Sequence, residues 1–86
     1  MSKEEPSEED LKYLLGNMGI EIFFAIDKGA RTFDTIKLFS GIPIACIKGR
    51  VPVLLNLNLI EKKEEEYILT EKGNRFKKKI KKDLLP

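Results

Sequence analysis

The chain has 86 residues, of which 42% are hydrophobic and 35% charged, with a formal net charge of +2; that fits one small domain and neither a disordered tail nor a membrane span. One cysteine and no histidine leave out disulfides, ordinary zinc sites and histidine acid–base chemistry, and the longest apolar run, Ile20 to Ile26, is broken by Glu21. Charge is polarised: residues 1–10 hold five acids against Lys3, and residues 71–86 hold seven Lys or Arg against Glu71 and Asp83.

The start, "MSKEEPSEED", is acidic where a secretory signal needs a positive segment, so a cytoplasmic protein with a flexible acidic stretch over residues 1–7 is expected. Ser7 is the predicted N-cap of a first helix, "EEDLKYLL", whose carboxylates sit in the first turn, where the helix dipole favours them. "GNMG" then interrupts, and Asn17 is read as capping a second helix from about Met18 to Lys28, ended by Gly29. Met18, Ile22, Ala25 and Ile26 share one face of it, widened by Phe23, and are expected in the core. Ile20 and Phe24 lie off that centre, with a subunit contact and packing under a neighbouring helix both open to them.

Thr32 is predicted to cap a short helix through Phe39 that buries Phe33, Ile36 and Phe39. A turn at Ser40-Gly41 leads to Pro43, suited to the first position of the next helix, over residues 43–57, closed by a left-handed Asn58. Two helices joined by a tight glycine turn form a helix-turn-helix pattern. Pro52 lies inside the second of them, and a kink or early end is expected there. "LIEKKEEEYILT" reads as two short strands turning near Glu64-Glu65, and Thr70 as the cap of a last helix carrying Phe76, Ile80 and Leu84 on a narrow apolar stripe.

The order is that of a single winged helix-turn-helix domain, mainly α with a small β wing and about five helices. "LLGNMGIEIFFAIDKGARTFDTIKLFSGIP", then Ile47, Val51, Leu54, "LNLIEK" and "YILTEKG", resembles the winged-helix repressors of the ArsR and MarR type, especially small archaeal transcriptional regulators, over about residues 8 to 84. The resemblance implies a homodimer that places the helix over residues 43–57 in the major groove of double-stranded DNA and the hairpin on the flanking backbone or minor groove. Metal-sensing members carry cysteine or histidine clusters, which Cys46 alone cannot supply, so neither metal nor cofactor is expected.

With Ile47, Val51 and Leu54 buried, Ala45, Gly49, Pro52 and Asn56 face the other way, flanked by Cys46 and Lys48. In the DNA-binding reading Lys48 and Arg50 hold phosphates while the small Ala45 and Gly49 let the backbone approach; in the plainer one these are solvated charges on an ordinary helix. Lys62 and Lys63 at the wing base are further contact candidates. Glu64, Glu65 and Glu66 oppose phosphate binding, so the tip either turns away from a duplex or is a solvated turn that blunts an exposed edge.

Lys77, Lys78 and Lys81 lead the basic stripe of the last helix, which suits either a phosphate backbone or the acidic head of a partner subunit; the second use gives a homodimer through the N- and C-terminal helices. A membrane-surface role is disfavoured by the narrow apolar stripe. Cys46 reads as a small core hydrophobe before a redox switch. No constellation suggests an enzyme. The expected function is a DNA-binding transcriptional regulator, the alternative a winged-helix protein-interaction module using Ile44, Ala45, Cys46 and Val53.

Overall fold

The structure, a computed structural model, describes residues 7–84, without the side chains of residue 8 and residues 82–84. The acidic stretch expected over residues 1–7 therefore lies outside the described residues except for Ser7, as does the side chain of Leu84. Six elements follow in chain order: α1 (Glu8–Asp27), α2 (Phe33–Ser40), α3 (Ile44–Asn56), β1 (Ile60–Lys63), β2 (Glu66–Leu69) and α4 (Glu71–Leu84). The architecture is mainly helical with one antiparallel hairpin, and has four helices among the described residues where about five were expected.

The difference arises at "GNMG". Ser7 caps α1 through a reciprocal box: its Oγ accepts the Asp10 N–H at 3.1 Å, and Asp10 Oδ2 accepts the Ser7 N–H at 3.3 Å. Gly16 alone leaves helical geometry, at φ 68° and ψ 179°, a conformation that L side chains resist. Helix resumes at once, so the two expected helices form one broken element. The break also shifts the phase: Gly19 is buried while Met18 is 39% exposed, against the expectation for Met18. Ile22, Phe23, Ala25 and Ile26 are buried as predicted.

α1 is the hub, packing against α2, α3, α4 and β2. Phe23 meets Phe76 of α4 edge to face at 5.4 Å between ring centres. The core is wholly apolar, with no buried polar or charged side chain among the described residues.

Thr32 caps α2, its Oγ1 accepting the Thr35 N–H at 3.3 Å. This eight-residue helix lies against α1 and α3, and only Ile36 is fully covered. Phe33 is half-buried and Phe39 is 53% exposed, which corrects the expectation that both are core. Gly41, at φ 77°, turns the chain so that α2 and α3 lie 106° apart. Pro43 is the N-cap of α3 rather than its first helical residue.

Nor does Pro52 end α3, which runs through it to Asn56. Ile47, Val51 and Leu54 are anchored in the core, whereas Pro52 and Lys48, whose carbonyl loses its N–H partner, both lie on the exposed side. Asn58 closes the helix at φ 63° as predicted: Leu59 N–H donates to Leu54 O and Asn58 N–H to Leu55 O, both at 3.0 Å.

The hairpin pairs Ile60 with Leu69 and Lys62 with Tyr67 on one face, Glu61 with Ile68 and Lys63 with Glu66 on the other. Thr70 then ties it to α4: its Oγ1 donates to Asn58 O at 2.6 Å and accepts the Gly73 N–H at 2.9 Å.

Candidate nucleic-acid interface

The exposed surface of α3 consists of Ala45, Lys48, Gly49, Pro52 and Asn56, the face the helical spacing predicts. Arg50 and Cys46 are half-buried at its flanks, and Cys46 packs against the core. A side chain at Gly49 would meet nothing, so this strip is low and open. Among the described residues none of the exposed large hydrophobics belongs to α3. Of the apolar face read around Ile44, Ala45, Cys46 and Val53, Ala45 is exposed and the other three are half-buried.

Register decides what the hairpin lysines do. Lys62 shares the inner face with Ile60 and Tyr67, whereas Lys63 shares the outer face with Glu61 and Glu66. Tyr67 is buried against Phe33, the first residue of α2, with ring centres 5.9 Å apart and planes 28° from parallel. Lys48 Nζ lies 5.9 Å from the centre of the Phe33 ring, and Lys62 Nζ lies 5.7 Å from that of Tyr67. One lysine from α3 and one from the hairpin thus converge on a single aromatic stack. Such a contact at a wet site is worth only about 0.5–1 kcal/mol, enough to orient an ammonium but not to hold it from an anion.

Arg31 locks this arrangement. Its carbonyl accepts the Tyr67 N–H at 3.0 Å, its Nη1 donates to Tyr67 O at 3.4 Å, and its own N–H donates to Thr35 Oγ1 at 3.0 Å. The segment between α1 and α2 therefore reaches β2 as a third strand would. Phe33, read from the sequence only as a core residue, is not among the predicted site residues, and neither are Tyr67 and Arg31. The available signal is alternation: a two-residue turn at Glu64-Glu65 sets Lys62 opposite Tyr67.

Glu64 and Glu65 occupy the two central turn positions at φ 49° and 68°, a pair of left-handed conformations usually given to asparagine and glycine. Glu65 pairs with Lys62 at 3.7 Å in an exposed contact. Part of the acidic charge is thus directed at the hairpin's own lysine.

The α4 stripe is less uniform in space than in sequence. Lys77 donates to Asp27 Oδ1 at 3.0 Å, both groups largely covered, and so joins α4 to α1. Lys78 is exposed, and Lys81 lies at a groove lined by Ile20 and Phe24. No cluster of three or more Cys, Asp or Glu among the described residues is placed to hold a metal. Among the described residues no single helix is long and apolar enough to cross a membrane. Comparison with protein-family models, with curated proteins and with solved structures returns no match in any of the three.

Proposed function

We propose that this chain is a winged helix-turn-helix protein that binds double-stranded DNA as a small transcriptional regulator, alongside the ArsR- and MarR-type proteins its sequence resembles. The observation that carries the reading is the convergence of Lys48 and Lys62 on the Phe33–Tyr67 stack. A helix destined for a groove and a wing destined for the adjoining backbone need a fixed mutual spacing, and the stack supplies it. The 106° angle between α2 and α3 supports the same reading, because recognition helices of this motif cross their partners at about 90–120°.

In this mechanism Lys48 and Lys62 take phosphates on either side of a groove, with Arg50 and Lys63 at the margins. Ala45, Gly49 and Pro52 offer van der Waals contact, and only Asn56 adds a hydrogen-bonding group to that strip. Affinity is then dominated by the backbone, with modest sequence discrimination. A fluorescent random-sequence duplex, titrated at about 50 mM and about 200 mM salt, tests the reading. Micromolar binding that weakens steeply with salt is expected, because each phosphate contact contributes about 0.9 to the logarithmic slope. Lys48→Ala with Lys62→Ala should lower affinity at low salt at least about tenfold and flatten the slope. An unchanged slope removes both lysines from the interface.

A further inference from the structure

Opposite charges line a polar hollow of about 210 Å³ for which the DNA reading has no use. Asp27 at the end of α1, Arg31 between α1 and α2, Leu69 of β2 and Asn74 of α4 all border it. Asp27 and Arg31 share this space, yet among the described residues they form no ion pair with each other. Lys77 donates to Asp27 Oδ1 at 3.0 Å, which leaves Oδ2 outside that bond. The Arg31 guanidinium donates only to a neutral acceptor, Tyr67 O, at a long 3.4 Å. The hollow is thus bordered by a carboxylate and a guanidinium, both half-buried and both with hydrogen-bonding capacity to spare.

Leu69 adds a main-chain donor and acceptor. Along a β-hairpin the backbone groups of successive residues point alternately toward the partner strand and away from it. Thr70 N–H donates to Leu59 O, on the β1 side, whereas Tyr67 N–H donates to Arg31 O on the outer edge. Leu69 stands two positions from Tyr67 and opposite Ile60, so its N–H and C=O turn to that same outer edge. Among the described residues no backbone group pairs with them there.

We propose that this hollow binds a free α-amino acid as its zwitterion. Arg31 and the Leu69 N–H donate to the ligand carboxylate, and its ammonium donates to Asp27 Oδ2 and the Leu69 carbonyl. Asn74, whose amide both donates and accepts, is the group available to a polar side chain. An inorganic anion would leave the Asp27 carboxylate facing like charge, and a simple cation would do the same to Arg31; a zwitterion meets both. The volume falls below the roughly 300–1,000 Å³ of pockets for drug-sized ligands and suits a metabolite of amino-acid size. Binding would join α1, β2 and α4 and draw Arg31 from its long bond to Tyr67, the residue whose ring Lys62 approaches. The site does not rest on DNA binding, and the two can fail separately.

Amide NMR of the isotope-labelled protein, titrated with each standard amino acid to about 10 mM, tests the site. At least one should shift the Leu69 and Asn74 amides with a Kd below about 1 mM. The N-acetyl derivative of that amino acid keeps only the anion and the carboxamide derivative only the cation, so each should bind at least about tenfold more weakly. Arg31→Gln should weaken the parent amino acid by a similar factor. That variant keeps its fold, because Arg31 ties β2 to the α1–α2 segment through its own carbonyl and N–H. Three results overturn the proposal: no amino acid shifts Leu69, a capped derivative binds as tightly as its parent, or Arg31→Gln binds with unchanged affinity.

Discussion

Gly73 is fixed by what its Cα faces rather than by its backbone angles. It lies in the first turn of α4, and a Cβ there would clash with the Leu59 carbonyl oxygen. Thr70 makes the approach that close: its N–H donates to Leu59 O at 3.1 Å while its hydroxyl bridges Asn58 O and the Gly73 N–H. Two effects oppose each other in Gly73→Ala. Helix propensity favours alanine by about 1 kcal/mol, whereas overpacking against a backbone atom costs about 1–3 kcal/mol and has no flexible side chain to absorb it. The clash should win, so urea unfolding of Gly73→Ala is expected to show a net loss of up to about 2 kcal/mol. A gain in stability would mean that the hairpin and α4 separate easily.

Among the elements, the hairpin is the one whose local sequence contradicts its shape. Two consecutive glutamates hold positive φ at the turn, where a non-glycine residue pays about 1–2 kcal/mol in left-handed geometry. What overrides that preference is tertiary: Ile60 and Tyr67 are buried, and the inner-face register that buries them requires a two-residue loop. Replacing Glu64-Glu65 by Asn-Gly should therefore raise stability by about 1 kcal/mol, the lost exposed Lys62–Glu65 pair being worth a few tenths at most. Thermal unfolding measures it, and no increase would indicate a turn that already relaxes.

Where local chemistry decides, elements were legible. Ser7, Thr32 and Thr70 cap the helices they were read to cap, and Asn58 takes the left-handed end of α3. The less accurate readings came where packing decides. One residue at Gly16 rephases α1 and exposes Met18, Phe39 sits on a helix too short to be covered, and core anchoring carries α3 through Pro52. The candidate site divides in the same way. Lys48 and Lys62 stand out in the sequence as cations, but the stack that joins them links Phe33 to Tyr67, side chains that only the folded chain brings together.

Across the whole molecule, charge counted along the chain overstates the basic face of α4. Seven Lys or Arg fall within residues 71–86, but Lys77 is engaged with Asp27, fifty positions away, and Lys72 and Lys79 also have interactions of their own. Lys81 borders the α1 groove. Arg75 and Lys78 are exposed, yet no aromatic contact fixes either as Phe33 and Tyr67 fix Lys48 and Lys62. An unanchored lysine loses side-chain entropy of up to about 2 kcal/mol when it settles on a phosphate, which offsets much of what the released counterion contributes. Arg75→Ala with Lys78→Ala should accordingly lower duplex affinity less than about threefold at low salt, against at least about tenfold for the Lys48 and Lys62 pair. Both variants remove two positive charges, so net charge and long-range attraction change equally and only placement differs. Fluorescence anisotropy on one duplex compares them directly. Equal losses would mean that binding follows total charge, and the aromatic stack would then orient no DNA contact.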